Sequence, residues 1–234
     1  MSAYDPFVQD YDLWAAHMTE DVAWYVELAR EAADPVVELA VGTGRVAIPV
    51  ARETGKRVIG IDASPAMLAE AQRRAHAAGV AIELREGDMR ELALEQPVEL
   101  VYCPFRSLLH LPTWVDKRTV FERVAASLVP GGRFAWNAFV FSPFIAAKVH
   151  GVKSFKGEAW ELVHQVPADN RVDLIRGRGE ETLGTVSLWW ATRSEWEGLL
   201  EAAGLETEAL YGGFRREPFD DDSLEFVWVA RKPG

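Results

Sequence analysis

The clearest chemical signal is Gly42, Thr43 and Gly44, which end the run VVELAVGTGR that begins at Val36. Small residues let a backbone turn sharply, approach a ligand and lead its amide groups into a helix. An acid, Asp62, follows about 20 residues later, at the end of the second apolar run RVIGID, where a carboxylate can accept both hydroxyls of a ribose. A third run, IELREGDMREL, carries Gly87-Asp88-Met89. Two readings of the glycine turn stand at this point: a nucleotide-type ligand, or a tight strand-to-helix turn with none. Ala40 occupies the first position of the usual three-glycine pattern, and Asp88-Met89 is no part of the dinucleotide fingerprint.

The elements that must hold these residues can be read from periodicity. Val36, Val37, Leu39 and Val41 form a nearly continuous apolar run, as expected of a strand buried on both faces of a parallel sheet, and this strand is expected to be the central one. A helix should start near Arg45 and run to about residue 53. Ser64-Pro65 opens the next helix, with Met67, Leu68, Ala71 and Ala75 on one face and Gly79 at its end. Residues 98–103 read as a fourth strand, 114–128 as a helix, Pro130-Gly131-Gly132 as a turn and 133–139 as a fifth strand. Ligands of open parallel sheets bind at the carboxyl edge, where strand order reverses.

Beyond Phe139 the alternation stops. Residues 160–166, 171–176 and 185–190 read as strands, with turns at Asp169-Asn170 and Gly177 to Gly179. An antiparallel insertion over 140–190 follows, and long insertions tend to be lids or binding elements. Thr192 or Ser194 starts the next helix and Gly204 closes it, before strands at 205–211 and 224–230. Residues 4–33 carry Tyr11, Trp14, Val22, Tyr25, Val26 and Leu28 at near-helical spacing. Trp189 and Trp190 are adjacent on a strand, so only one can line a given pocket, and most of the nine tryptophans are read as packing.

The totals narrow the function. A chain of 234 residues supports one sizeable core, so 1–234 is read as a single domain. A net charge of −11 argues against a protein that neutralises many phosphates, so a small-molecule substrate is favoured over nucleic acid. No apolar run reaches membrane-spanning length and the first residues lack a signal-peptide pattern, so a cytoplasmic protein with no membrane partner is expected. Cys103 is the only cysteine and the five histidines lack ligand spacing, so no metal is expected. A homodimer is compatible with the sequence.

With ELAVGTG, GIDASPAML, EGDMREL and LVYCPFRSLLHL in that order, the chain resembles the class I S-adenosylmethionine-dependent methyltransferases over nearly its whole length. The resemblance implies a Rossmann-like, doubly wound α/β fold with a mostly parallel seven-stranded sheet and an antiparallel final strand. It implies S-adenosylmethionine as cofactor and methyl transfer to a nitrogen or oxygen of a small molecule. The glycine turn would pass under the methionine part, Asp62 would hold the ribose and Asp88 with Met89 would face the adenine. The implied cofactor set is Tyr11, Glu38, Ala40, Gly42, Thr43, Gly44, Asp62, Ala63, Met67, Asp88, Met89, Cys103 and Phe105. Residues 1–33 would fold over the cofactor as a lid.

The segment YCPFRSLLHL resembles that of the aminosugar N,N-dimethyltransferases, in which the histidine matching His110 is proposed as a base. Histidine alone has an unperturbed pKa near neutrality. His110 is therefore the candidate catalytic residue, against a role as a hydrogen-bonding residue of the loop. Arg106, Arg171, Arg176, Arg215 and Arg216 are possible anchors for an anionic acceptor. Two other classes stay open: a catalytically silent S-adenosylmethionine-binding sensor or partner subunit, and an NAD-dependent oxidoreductase.

Overall fold

The computed structural model describes residues 19–234; Tyr11 and the rest of the expected lid segment before Thr19 lie outside the described residues. Helix α1 (Glu20–Glu31) leads into β1 (Val36–Leu39), followed by α2 (Ala47–Thr54), β2 (Val58–Asp62), α3 (Pro65–Ala77), β3 (Glu83–Glu86) and β4 (Val98–Cys103). Helix α4 (Trp114–Ser127) precedes β5 (Leu128–Phe139). Then come α5 (Pro143–Val149), β6 (Lys153–Lys156), β7 (Ala159–Val166), β8 (Arg171–Arg178) and β9 (Glu181–Trp189). Helix α6 (Arg193–Ala203), β10 (Glu206–Tyr211) and β11 (Glu225–Arg231) complete the chain.

Seven strands form one sheet in the order β10-β11-β5-β4-β1-β2-β3, and β6-β7-β8-β9 form a second, antiparallel sheet. Strands β1 to β5 pair in parallel, whereas β11 runs antiparallel to both β5 and β10. The α/β fold class, the reversed final strand and the antiparallel insertion are as expected. The expected central place of β1 is corrected: β4 is the middle strand and β1 lies beside it. Strand order reverses between these two, which puts the carboxyl end of β1 at the switch point where parallel sheets bind ligands.

Alternation on buried strands divides the core into two layers. Val37 and Leu39 of β1, Phe134 and Trp136 of β5, and Phe226 and Trp228 of β11 face the side covered by α4 and α6, with Phe121 and Trp196. Val36, Leu100, Tyr102, Ala135, Val227 and Val229 face the side covered by α1, α2 and α3. The register sets Trp136 opposite Trp228, and their rings stack at 5.6 Å with planes 9° apart. Such an aromatic pair adds about 0.5–1.5 kcal/mol beyond its burial. Five of the eight tryptophans among the described residues, Trp24, Trp136, Trp160, Trp196 and Trp228, are buried, in line with packing as their main use.

Other boundaries moved for local reasons. Helix α2 starts at Ala47 rather than near Arg45 because the glycine turn continues through Val46. Pro130-Gly131-Gly132 is not a turn; it is a bulge within β5, where Gly131 N–H donates to Lys232 O at 2.9 Å and Gly132 O accepts from Lys232 N–H at 2.8 Å. Gly177 belongs to β8, where a Cβ would sit 2.2 Å from the Trp160 ring, so it serves close approach rather than turning. Helix α5 and strand β6 were not expected within 140–190, and Trp190 lies just outside β9. Thr192 caps α6 in a capping box with Glu195, and Gly204 ends it in the left-handed conformation. Among the described residues no helix is long and apolar enough to cross a membrane.

Candidate active site

The glycine turn leaves β1 at the switch point. Ala40 has φ +53°, Gly42 +55° and Gly44 +79°, so three of five consecutive residues are left-handed. The glycine of the usual pattern is thus called for by conformation as well as size, and Ala40 carries a strain of about 1–2 kcal/mol. Asp62 at the end of β2 pins the turn: its carboxylate accepts Gly42 N–H at 2.8 Å and Ser64 N–H at 2.9 Å. The carboxylate also faces a cavity in front of the turn.

A cavity of about 580 Å³ opens in front of this turn. Of the expected cofactor residues, Ala40, Gly42, Asp62, Ala63, Met67, Asp88, Met89 and Phe105 line it, together with His110. Glu38, Thr43, Gly44 and Cys103 do not line it. Glu38 is buried behind the turn, where burial pushes its pKa well above the usual carboxylate range, with the nearby Tyr102 hydroxyl and Arg45 opposing the shift. Thr43 is fully buried; Gly44 packs on Ile48, which a Cβ would meet at 2.9 Å. Burial also pushes the Cys103 thiol far up, which makes it a packing residue rather than a nucleophile. Asp88 accepts from the Arg90 side chain at 2.6 Å and from Arg90 N–H, and this pairing lowers its pKa.

A second cavity, of about 560 Å³, lies between the β5 end, α5 and the second sheet, and it shares Phe105 and His110 with the first. Its wall is mainly apolar: Phe139, Phe141, Ile145, Val163, Val172 and Leu174 contribute. Arg106 and Arg176 line it and are paired, Arg176 to Glu161 at 2.8 Å and Arg106 to Glu225 at 2.6 Å. Arg171, Arg215 and Arg216 line neither cavity; they pair with Asp169 and Asp173, Glu20, and Glu27. Trp189 faces the first cavity, whereas Trp190 stacks on Phe141 at 4.1 Å.

His110 ends a 3-10 turn, Ser107–His110, directly after β4. Burial pushes its imidazole down to about 4; a hydrogen bond with the Ser187 main chain opposes this shift and Arg176 adds to it. The ring is therefore neutral at pH 7, which corrects the expectation of a titration near the ordinary histidine value.

Sequence reading missed Arg45 and, although it expected the insertion to cover the site, did not single out Thr185 and Ser187 of its wall. Arg45 donates to both oxygens of buried Asp21 on α1, at 2.8 and 2.5 Å, and lies over the Phe105 ring at 4.6 Å. Its place next to Gly44 was the available signal. Thr185, Ser187 and Trp189, alternating along β9, close the first cavity from above; the Trp189-Trp190 pair was read as offering one pocket residue, and no local sequence feature marked Thr185 or Ser187.

Residues 36–132 match the family model described as a methyltransferase domain. The chain is 30% identical over 221 residues to the dTDP-3-amino-3,6-dideoxy-alpha-D-glucopyranose N,N-dimethyltransferase of Streptomyces fradiae, covering 88% of this chain and 81% of the relative. It is 28% identical to the 27-O-demethylrifamycin SV methyltransferase of Amycolatopsis mediterranei, over 88% of this chain and 80% of the relative. In fold it is similar to a S-adenosylmethionine-dependent methyltransferase from Clostridium acetobutylicum, with a TM-score of 0.83 over 100% of both chains at 16% identity. These findings support neither the silent binder nor the oxidoreductase. The chain belongs to the S-adenosylmethionine-dependent methyltransferases and is an enzyme of that class.

Proposed function

We propose that the first cavity holds S-adenosylmethionine, and that its methyl group passes to a nitrogen or oxygen of a small molecule seated in the second cavity. The observation that carries this reading is that the two cavities meet at Phe105 and His110. The residues present fit the cofactor. The Asp62 carboxylate lies at the wall as an acceptor for hydroxyl donors, the turn keeps small residues at Ala40 and Gly42, and Met67 and Met89 offer apolar surface. When bound, S-adenosylmethionine supplies a methyl group on a positively charged sulfur. The chain then has to align acceptor and methyl and keep water away. The second sheet acts as the cover that does so, and it supplies nearly half of the residues lining the acceptor side.

His110 stays neutral and accepts a hydrogen bond from the acceptor N–H or O–H. A base near pH 4 is too weak to ionise an aliphatic hydroxyl, whereas a neutral amine attacks first and loses its proton afterwards. That balance favours nitrogen. The Streptomyces fradiae relative, by its name an N,N-dimethyltransferase, is consistent with this preference. The charge of −11 disfavours nucleic acid as acceptor.

The test is release of S-adenosylhomocysteine across a panel of aliphatic amines, amino sugars and phenols, for the parent and for His110→Asn. The expected result is turnover of an amine by the parent. The variant should bind S-adenosylhomocysteine equally well but turn over roughly twofold to tenfold more slowly, the cost of one misplaced hydrogen bond. Any low-pH limb of the parent between pH 5 and 8 should persist in the variant, because it belongs to the acceptor. A limb near pH 6.5 that His110→Asn abolishes would contradict a neutral His110. Cofactor binding with no release from any panel member would favour the silent binder.

A further inference from the structure

Phe105 and Arg106, at the junction of the two cavities, are consecutive non-glycine residues with φ +57° and +63°. This conformation is disfavoured for side chains with a Cβ and persists only where the surroundings impose it. What surrounds it is a chain of hydrogen bonds that begins on α1. Tyr25 Oη donates to Asn137 Oδ1 at 3.1 Å on β5, and Asn137 Nδ2 donates to Glu225 Oε1 at 2.7 Å on β11. The Glu225 carboxylate then accepts from Arg106 Nε at 3.1 Å to each oxygen, and from Arg106 Nη2 at 2.6 Å. Tyr25 and Asn137 are fully buried and Glu225 is nearly so. On the other side, α1 reaches Phe105 again through Asp21 and Arg45.

The reversed direction of β11 makes this possible. Because the strand is antiparallel to β5, its first residue, Glu225, pairs with Phe139 at the carboxyl edge, where the junction lies. A parallel strand would bring its last residue there instead.

We infer that Glu225 is a positioning residue for methyl transfer: by holding the Arg106 guanidinium it fixes the left-handed turn that sets the Phe105 ring and the His110 segment between cofactor and acceptor. The inference rests on the reading of the junction given above. A buried carboxylate bound to both an arginine fork and an asparagine amide has little freedom, so its hold is geometric as well as electrostatic. Glu225 acts through Arg106 and lines neither cavity itself.

The test uses the full chain with S-adenosylhomocysteine bound and 4-fluorophenylalanine in place of Phe105. In the parent the fluorine signal should be a single line. Glu225→Gln, which removes the charge and one acceptor oxygen at constant size, should shift or split it while cofactor affinity stays at the parental value. With the best acceptor of the panel, kcat should fall about tenfold to a hundredfold, the cost of a misplacement near 1 Å. Arg106→Lys should do the same, and the double variant should be no slower than the slower single, because the two act as a unit. Arg106 is about a third exposed, so Arg106→Lys decides the matter alone if Glu225→Gln does not fold. An unchanged fluorine line in the folded variants, a parallel loss of cofactor affinity, or multiplying effects in the double variant would overturn the inference. Slowing in these variants beside a His110→Asn protein at parental rate would overturn the junction reading and this inference with it. A slow His110→Asn beside unaffected Glu225 and Arg106 variants would overturn only the inference.

Discussion

The two sheets stand on opposite principles. In the seven-stranded sheet β1, β4 and β11 are buried almost end to end, on both faces, and their order is held by helices on each side. In the four-stranded sheet β6 is exposed along its whole length, and β7 to β9 are mostly half-buried. It carries paired charges such as Arg176 with Glu161 and Arg171 with Asp173. A strand buried on both faces is committed to one register by its apolar residues; a half-buried one can vary its inner face without losing its place. Under the proposed function, the first sheet thus suits the shared cofactor site and the second sheet suits the acceptor site.

This contrast can be broken at the first sheet most easily. Trp136→Ala should remove a fully buried ring from the centre of the aromatic cluster and lower unfolding free energy by about 3–5 kcal/mol, read by urea denaturation. A loss below about 1 kcal/mol would mean that the rigid core is not where the structure puts it. Next in size, Asp62→Ala should weaken binding of S-adenosylmethionine by about 1.5–3 kcal/mol per charge-assisted bond lost. Calorimetry of that variant beside Glu161→Gln sharpens the comparison, since the second should leave cofactor affinity alone and change only the KM of the acceptor. Equal weakening in both would erase the division of labour. The smallest effect is at Ala40: glycine there relieves a left-handed φ and should raise stability by about 0.5–1 kcal/mol after its entropic cost. A destabilised Ala40→Gly would show that the methyl contributes packing not evident from its position.

How much was legible in the sequence follows the same division. The edges of β2, β4, α3 and α6 could be read to within a residue or so because continuous apolar runs and caps such as Ser64 and Thr192 carry local information. The cavity-lining positions from Ala40 to Met89 came mainly from the resemblance of these motifs to the methyltransferase family, carried over residue by residue. Glu38, Thr43, Gly44 and Cys103 share the same motifs yet serve the turn from behind, because spacing tells which strand end a residue occupies and not which side of it faces the ligand. Helix α5 was missed because seven residues are too few to establish a period. The ties from Asp21 to Arg45 and from Tyr25 through Asn137 to Glu225 join residues far apart in the chain, and a single sequence holds no sign of such pairings. Nor could the lowered pKa of His110 be foreseen, since it depends on burial beneath β9 and on Arg176 of β8.

The central claim is that cofactor and acceptor occupy two cavities that meet at Phe105 and His110. A crystal structure with S-adenosylhomocysteine tests it without any knowledge of the acceptor. The account predicts both ribose hydroxyls on the Asp62 carboxylate, the adenine beside Met89, and the sulfur directed at the opening between Phe105 and His110. A ribose held elsewhere, or a sulfur turned away from the second cavity, would contradict it.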